Sequence, residues 1–278
     1  MKKILLATTL LAASTGFAAA EVATSGSARM GLIFDGDDAF FTSRIRVIFK
    51  MSGTTDGGLE FGAEVRADQA SEANSGGTSM DSGKVFISGA FGKLSMGDLD
   101  TASNELVGNV SGVGLTGLGD LNELGYVGQT DTSIRYEYTA GAFTAALSAG
   151  QIGNEEFSVA VKYSTDAYSV ALGYEDGGVF GDEQLALGGS ATFGAATVKA
   201  VVVDYSGYDD LEYALSVDYD MGAVAITAFY AHQDDFLGEE YFGLGAAYDL
   251  GGGAKVVGGI VSVDGEETIA DVGISMSF

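Results

Sequence analysis

The stretch TSRIRVIFKM, Thr42–Met51, alternates strictly: Ile45, Val47, Phe49 and Met51 are apolar, while Arg44, Arg46 and Lys50 fall on the opposite parity. A period of two puts successive side chains on opposite faces of an extended strand, so one face here is apolar and the other cationic. That cationic face is out of character for the chain, in which 39 Asp and Glu against 13 Lys and Arg give a formal net charge of -26. The fold follows from deciding which of the two faces meets water.

The same alternation recurs along nearly the whole chain. In GLEFGAEVRAD, Leu59, Phe61, Ala63, Val65 and Ala67 oppose Glu60, Glu64, Arg66 and Asp68. EFSVAVKYS, LEYALSVDYD and the terminal TIADVGISMSF repeat the pattern. Read this way, the chain predicts sixteen strands, starting near residues 22, 40, 58, 82, 93, 131, 142, 155, 167, 183, 195, 210, 222, 239, 254 and 268. The absence of proline and the 43 glycines suit long uninterrupted ladders joined by tight turns. With no cysteine, neither disulfides nor a thiolate metal site contributes. The acidic balance speaks against nucleic acid as a partner.

The first twenty residues, MKKILLATTLLAASTGFAAA, combine two lysines, a short apolar run and a small-residue end. This is the layout of a cleaved secretory signal, with the mature chain predicted to start at Glu21. Residues 21–278 then form one domain.

The connections fall into two alternating kinds. One set is short and glycine-rich (GTTDGG, FGK, TAGAF, STDAY, DMGA), and the other is longer and acidic (DGDDAF, DQASEANSGGTSMD, QIGNEE, EDGGVFGDE, HQDDFLGEE). A membrane-spanning barrel sorts its connections by end, with short turns on the periplasmic side and long loops outside. The hidden face would be Ser, Thr, Gly, Asp, Glu, Lys and Arg, so the polar set must line water and the apolar set must face lipid. Aromatics near predicted strand ends, including Tyr163, Tyr168, Phe193, Tyr219, Phe242 and Tyr248, suit the membrane interfaces.

The blocks SGSARMGLIFDGDD (25–38), SRIRVIFKMSGTTDGGLEFGAEVRAD (43–68), VFISGAFGKLSMGD (85–98) and YFGLGAAYDLGGGAKVVGGI (241–260), with the terminal Phe278, resemble the general-diffusion porins of the Rhodobacter type. The resemblance covers essentially the whole mature chain, with shorter outer loops and a shortened inner loop. It implies an all-β fold, a sixteen-stranded antiparallel transmembrane barrel with the third extracellular loop folded inward. It also implies a homotrimer in the outer membrane, in contact with lipid and lipopolysaccharide and passing small hydrophilic solutes. The terminal Phe278 would be read by the barrel-assembly machinery. No cofactor is required.

Residues 98–130 form the one long connection without sustained alternation, and they match the position of the family's constriction loop. They carry Asp98, Asp100, Glu105, Asp120 and Glu123 and no Lys or Arg. All five arginines of the chain, Arg29, Arg44, Arg46, Arg66 and Arg135, fall on the predicted lumen face. Facing groups of opposite sign would set a transverse field across a narrow aqueous gap. A tight turn at GTTDGG would pair Arg46 with Glu64 and Lys50 with Glu60, leaving Arg44 beside Arg66. The competing reading is that these arginines only bond wall carboxylates. The acidic outer loops point to weak cation selectivity.

Other signals carry less. GVGLTG, 112–117, matches a dinucleotide fingerprint but lacks the βαβ context, and its glycines serve tight turns better. There is no GxSxG elbow, and the single histidine, His232, lies at a predicted strand end, so the chain reads as a non-enzyme. Acid clusters at Asp35, Asp37 and Asp38, at Asp209 and Asp210, at Asp234, Asp235, Glu239 and Glu240, and at Glu266 and Glu267 offer oxygen ligands for Ca²⁺. None has EF-hand spacing, and a solvated acidic face competes with that reading. The alternative function is a secreted, calcium-stabilised structural or adhesive β protein.

Overall fold

The computed structural model describes residues 20–278 except 73–74, 81–82, 131, 207–210, 234–239 and 265–267. The N-terminal half of the wall is built from β1 (Glu21–Phe34), β2 (Ala39–Thr54), β3 (Glu60–Glu72), β4 (Ser75–Met80), β5 (Lys84–Gly89), β6 (Gly92–Gly97), β7 (Ser133–Ala140) and β8 (Phe143–Ala149). The remainder comprises β9 (Phe157–Ser164), β10 (Tyr168–Asp176), β11 (Glu183–Phe193), β12 (Ala196–Tyr205), β13 (Glu212–Asp220), β14 (Val224–His232), β15 (Glu240–Gly251), β16 (Ala254–Val263) and β17 (Ile269–Ser277). Every neighbouring pair is antiparallel, and β4 and β5 both pair with β3, so the described strands fill sixteen positions.

The ring is closed by β1 against β17, from Ser27 opposite Ser277 to Phe34 opposite Ala270. The terminal Phe278 extends that seam by donating its N–H to Gly26 O at 2.9 Å. Among the described strands every one but β4 is paired on both sides, which satisfies the backbone of the wall in a medium without water.

The two faces separate as the alternation demands. Ile45, Phe49, Leu94, Leu147, Leu172, Leu187, Leu244 and Val272 are exposed on the outside. A continuous apolar belt of this extent is costly in water and is accounted for by lipid. Aromatic rings pack at both rims. Phe143 lies 4.8 Å edge-on to Tyr163 at the short-turn end, and Tyr230 lies 4.8 Å from Phe242 at the long-loop end. His232 belongs to the second group, 5.1 Å from Tyr213.

Three details differ from the sequence reading. The segment 68–81, read as a long outer loop, is largely ladder: β3 runs on to Glu72 and β4 returns from Ser75. Neither face of this extension shows apolar alternation, so the period-two signal is missing there. The β2–β3 turn is five residues, 55–59, closed by Thr55 N–H on Leu59 O at 2.8 Å. The register is therefore offset by four from the tight-turn reading: Arg46 pairs with Asp68, Lys50 with Glu64, and Arg44 faces Ala70 on β3 and Arg29 on β1.

The third difference is inside. The inner faces of β11 to β16 are not uniformly polar, because Ala186, Val201, Val203, Ala214, Phe229, Ala231, Tyr241 and Val261 form a buried cluster with Val110, Val113, Leu118 and Leu124 of the segment between β6 and β7.

Candidate functional site

That segment, residues 98–132, holds the short helix α1 (Ala102–Val107), capped by the Thr101 side chain accepting the Asn104 N–H. Its polar contacts run right around the ring. Arg29 on β1 donates to Thr116 O at 3.3 Å, and Asp271 on β17 accepts the Leu115 and Thr116 N–H groups at 2.8 and 2.6 Å. On the far side, Ser148 of β8 accepts the Ala102 N–H and Ser158 of β9 the Ser103 N–H, each at 2.9 Å. Ser216 of β13 accepts the Ser111 N–H at 3.0 Å, and Gln184 of β11 donates to Gly125 O at 2.9 Å. One segment can touch strands on opposite sides of a closed ring only from within it.

Glycines make the close approach feasible at two places. A Cβ on Gly31 or on its cross-strand partner Gly273 would come within 2.5 or 2.6 Å of the Leu115 side chain. Gly114, at φ +87°, lets the Asp271 carboxylate reach the segment's backbone. Two further wall carboxylates act as sockets. Glu175, fully buried, accepts from the Thr101 hydroxyl, and Glu156 accepts the Thr130 N–H and hydroxyl at 2.9 and 2.7 Å. These serines and carboxylates were not singled out as loop partners from the sequence, although strand parity already places Glu175 and Asp271 inside.

The five arginines divide into two groups. Arg29, Arg44, Arg46 and Arg66 share three adjacent strands. Arg46 holds Asp68 through Nε and Nη2 at 3.0 and 2.9 Å, the forked geometry a guanidinium favours, and Arg66 reaches the same carboxylate at 3.3 Å. Arg44 stands opposite Arg29 and within electrostatic reach of Arg46 and Arg66. Asp68 serves two of the four, and the group sets like charges side by side, with Arg44 directly across from Arg29. Lys50 and Lys84 flank it, both bound to Glu64 at 3.1 and 3.6 Å.

Arg135 sits apart, on β7. Its side chain is 7% exposed and is bound by Glu105 at 2.7 Å and Glu137 at 2.6 Å, with Nη1 on Asp100 O at 2.7 Å. It ties down the base of the inner segment, and its charge is compensated where it stands.

The loop acids divide likewise. Glu105 is bound by Arg135, while Asp98 follows directly on β6, its backbone N–H on Gly83 O at 3.3 Å. Asp100, Asp120 and Glu123 are exposed to the lumen and close enough to interact. Partial desolvation, with the charges of Asp120 and Asp100, raises the Glu123 carboxyl above the ordinary glutamate range. Glu123 therefore takes up a proton at higher pH than an isolated glutamate. Acidification from pH 7 to about 5 is expected to lower the cation-to-anion permeability ratio, and Glu123→Gln is expected to flatten the upper part of that titration. Reversal potentials recorded across this range check it; an identical profile in the variant refutes it.

Among the described residues, no group of three or more His, Asp or Glu is placed to hold a metal ion. Asp35 instead closes its own turn, accepting the Asp37 and Asp38 N–H groups at 3.1 and 2.9 Å, which lowers its carboxyl. The clusters at 209–210, 234–235, 239 and 266–267 lie outside the described residues.

All lysines and arginines from Arg29 onward lie on inward-facing parity, in a ring whose outer surface is apolar. This is the arrangement of a water-filled membrane channel, and comparison with known proteins agrees with it. The family model for Gram-negative porins matches residues 7–268. The chain is 39% identical to the porin of Rhodobacter capsulatus, over 93% of this chain and all of that one, and 25% identical to the porin of Fuscovulum blasticum over the same shares. A porin structure refined at 1.8 Å superposes with a TM-score of 0.77 at 37% identity, covering 93% of this chain and all of the other. An engineered variant of the Rh. blastica porin, at 24% identity and a TM-score of 0.79 over the same shares, shares the fold. The secreted calcium-stabilised reading is thereby set aside. With its polar wall turned inward, its apolar belt turned outward and 93% of its length aligned with these channels, the chain belongs to the Gram-negative porin family: it is a sixteen-stranded outer-membrane channel and not an enzyme.

Proposed function

We propose that this porin passes small hydrophilic solutes and ions by passive diffusion, with weak cation selectivity set at a constriction between the 98–130 segment and the arginine group of β1 to β3. The observation that carries the reading is the division of charge. Four guanidiniums gather on one stretch of wall, around Arg44, and exposed acids, Asp100, Asp120 and Glu123, gather on the inner segment. Charges of opposite sign across a narrow aqueous gap orient dipolar solutes and penalise apolar ones.

The sign of the selectivity comes from the excess of acid, 39 acidic against 13 basic residues. A charged mouth concentrates counter-ions over roughly a Debye length, about 10 Å at 0.1 M and about 3 Å at 1 M. The preference for cations is therefore expected to be clearest in dilute KCl and to shrink as salt rises. Reversal potentials of the purified channel in planar bilayers under KCl gradients test this, and anion preference in dilute salt overturns it. The resemblance to Rhodobacter-type porins supports a homotrimer in contact with lipopolysaccharide, and Phe278 at the seam suits recognition by the assembly machinery. Chemical cross-linking of the detergent-extracted protein reads the trimer directly.

A further inference from the structure

The diffusion reading leaves unused a recess of about 220 Å³ on the short-turn side of the inner segment, between the end of α1 and the inner faces of β9 to β12. Lys162 of β9 and Lys199 of β12 both line it, with Ser169 and Ser190 between them. The two serine hydroxyls are bonded to each other at 2.9 Å, and Gly188 forms part of the floor, with Val107 Cγ1 packed 2.8 Å from where its Cβ would stand. Asn109 closes the loop side; its Oδ1 accepts the Leu124 N–H at 3.0 Å, which leaves its amide N–H₂ to donate.

The charge of this recess is unlike that of the rest of the chain. Its lining holds one carboxylate, Glu105, and that group is already bound to Arg135 at 2.7 Å. Among the described residues neither Lys162 nor Lys199 has a carboxylate within ion-pair distance, whereas Lys50 and Lys84 share Glu64 and Lys93 lies 5.0 Å over the Phe86 ring. Two ammonium groups, serine hydroxyls and an amide donor around a partly enclosed volume make a donor-rich, cationic environment. A tetrahedral oxyanion, with several acceptor oxygens and more than one charge, satisfies more of these donors at once than chloride does.

We infer that this recess is a binding site for phosphate groups within the channel, a transient station for inorganic phosphate and small phosphomonoesters beside the constriction. Conduction needs binding strong enough to enter and weak enough to leave, and a semi-open recess with two lysines meets both needs. The site would admit a class of anion that the acidic mouth otherwise disfavours. It rests on the channel reading above.

The test is the single-channel current of the full-length protein in planar bilayers, with inorganic phosphate titrated at constant ionic strength and each current normalised to that protein's own KCl conductance. The wild type is expected to show a saturable fall in current. In K162Q/K199Q the half-saturating phosphate concentration is expected to rise roughly tenfold or more, as follows from losing two charge-assisted bonds. K162R/K199R keeps both charges and is expected to keep the response, which separates loss of the site from damage to the fold. A wild-type current indifferent to phosphate, or a half-saturating phosphate concentration that is unchanged in K162Q/K199Q, overturns the assignment. Absence of KCl conductance in the wild type would instead bring down the channel reading on which it rests.

Discussion

Phe229→Ala combined with Asp271→Ala is expected to release the inner segment while leaving the barrel closed. Phe229 is 5% exposed, on the inner face of β14, in the cluster that receives Val110, Val113, Leu118 and Leu124. Its ring fills the space left by Gly243 directly across the ladder, where a Cβ would lie 1.9 Å from Cε1. Truncating a buried phenylalanine costs about 3–5 kcal/mol, from lost transfer and from the cavity left behind. Removing the Asp271 carboxylate orphans the Leu115 and Thr116 N–H groups at about 1–3 kcal/mol each if they stay dry. The ring itself depends on neither change, because its cohesion is the inter-strand ladder. Open-channel conductance and noise should both rise, and protease should cut between 110 and 125 in the folded protein. Wild-type conductance together with full protease resistance would show that the segment is held by something other than this socket.

The strand number, the strand parity and the polarity of the two faces were legible because the lipid belt imposes them residue by residue, as in Ile45, Val47 and Phe49. Where the belt ends, so does the signal: Ser75–Met80 forms a strand whose sequence has no alternation and predicts a loop. Register is hidden in the sequence for a related reason. The residues of GTTDGG are compatible with several turn lengths, and pairing slips along a hairpin in steps of two without moving any side chain to the other face. A slip of four residues in pairing exchanged Glu64 for Asp68 opposite Arg46 while keeping every arginine in the lumen.

The inner socket was hidden by composition. Ala186, Val201, Val203 and Ala214 are ordinary strand residues, and nothing local marks their inward parity as a docking surface for a segment some 80 residues earlier. Likewise, five arginines on one parity gave no hint that Arg135 belongs to the base of the inner segment. Its partners Glu105 and Asp100 precede it by thirty residues or more and reach it only when that segment folds inward.

That division of the arginines yields the sharpest contrast in selectivity. Arg44→Ala, Arg46→Ala and Arg66→Ala in one protein remove three charges from the wall and leave Asp68 without the two guanidiniums that hold it. A unit charge roughly 8 Å from an ion in a water-like medium shifts its energy by about 0.5 kcal/mol, with opposite sign for cation and anion. Three charges therefore change the cation-to-anion difference by about 3 kcal/mol unscreened, and by about 1 kcal/mol one Debye length away at 0.15 M. The permeability ratio is expected to move towards cations by roughly sixfold at that salt, and pore conductance is expected to rise as three long side chains leave the lumen. Arg135→Ala is the counterpart. It removes one charge against three, from a side chain only 7% exposed, so selectivity should move less, while the α1 end of the inner segment loses its tie through Asp100 O and becomes noisier. Equal selectivity shifts in the two proteins, read as reversal potentials in the same KCl gradient, would mean that all five arginines act as one wall and that the compensation seen at Arg135 does not govern its field.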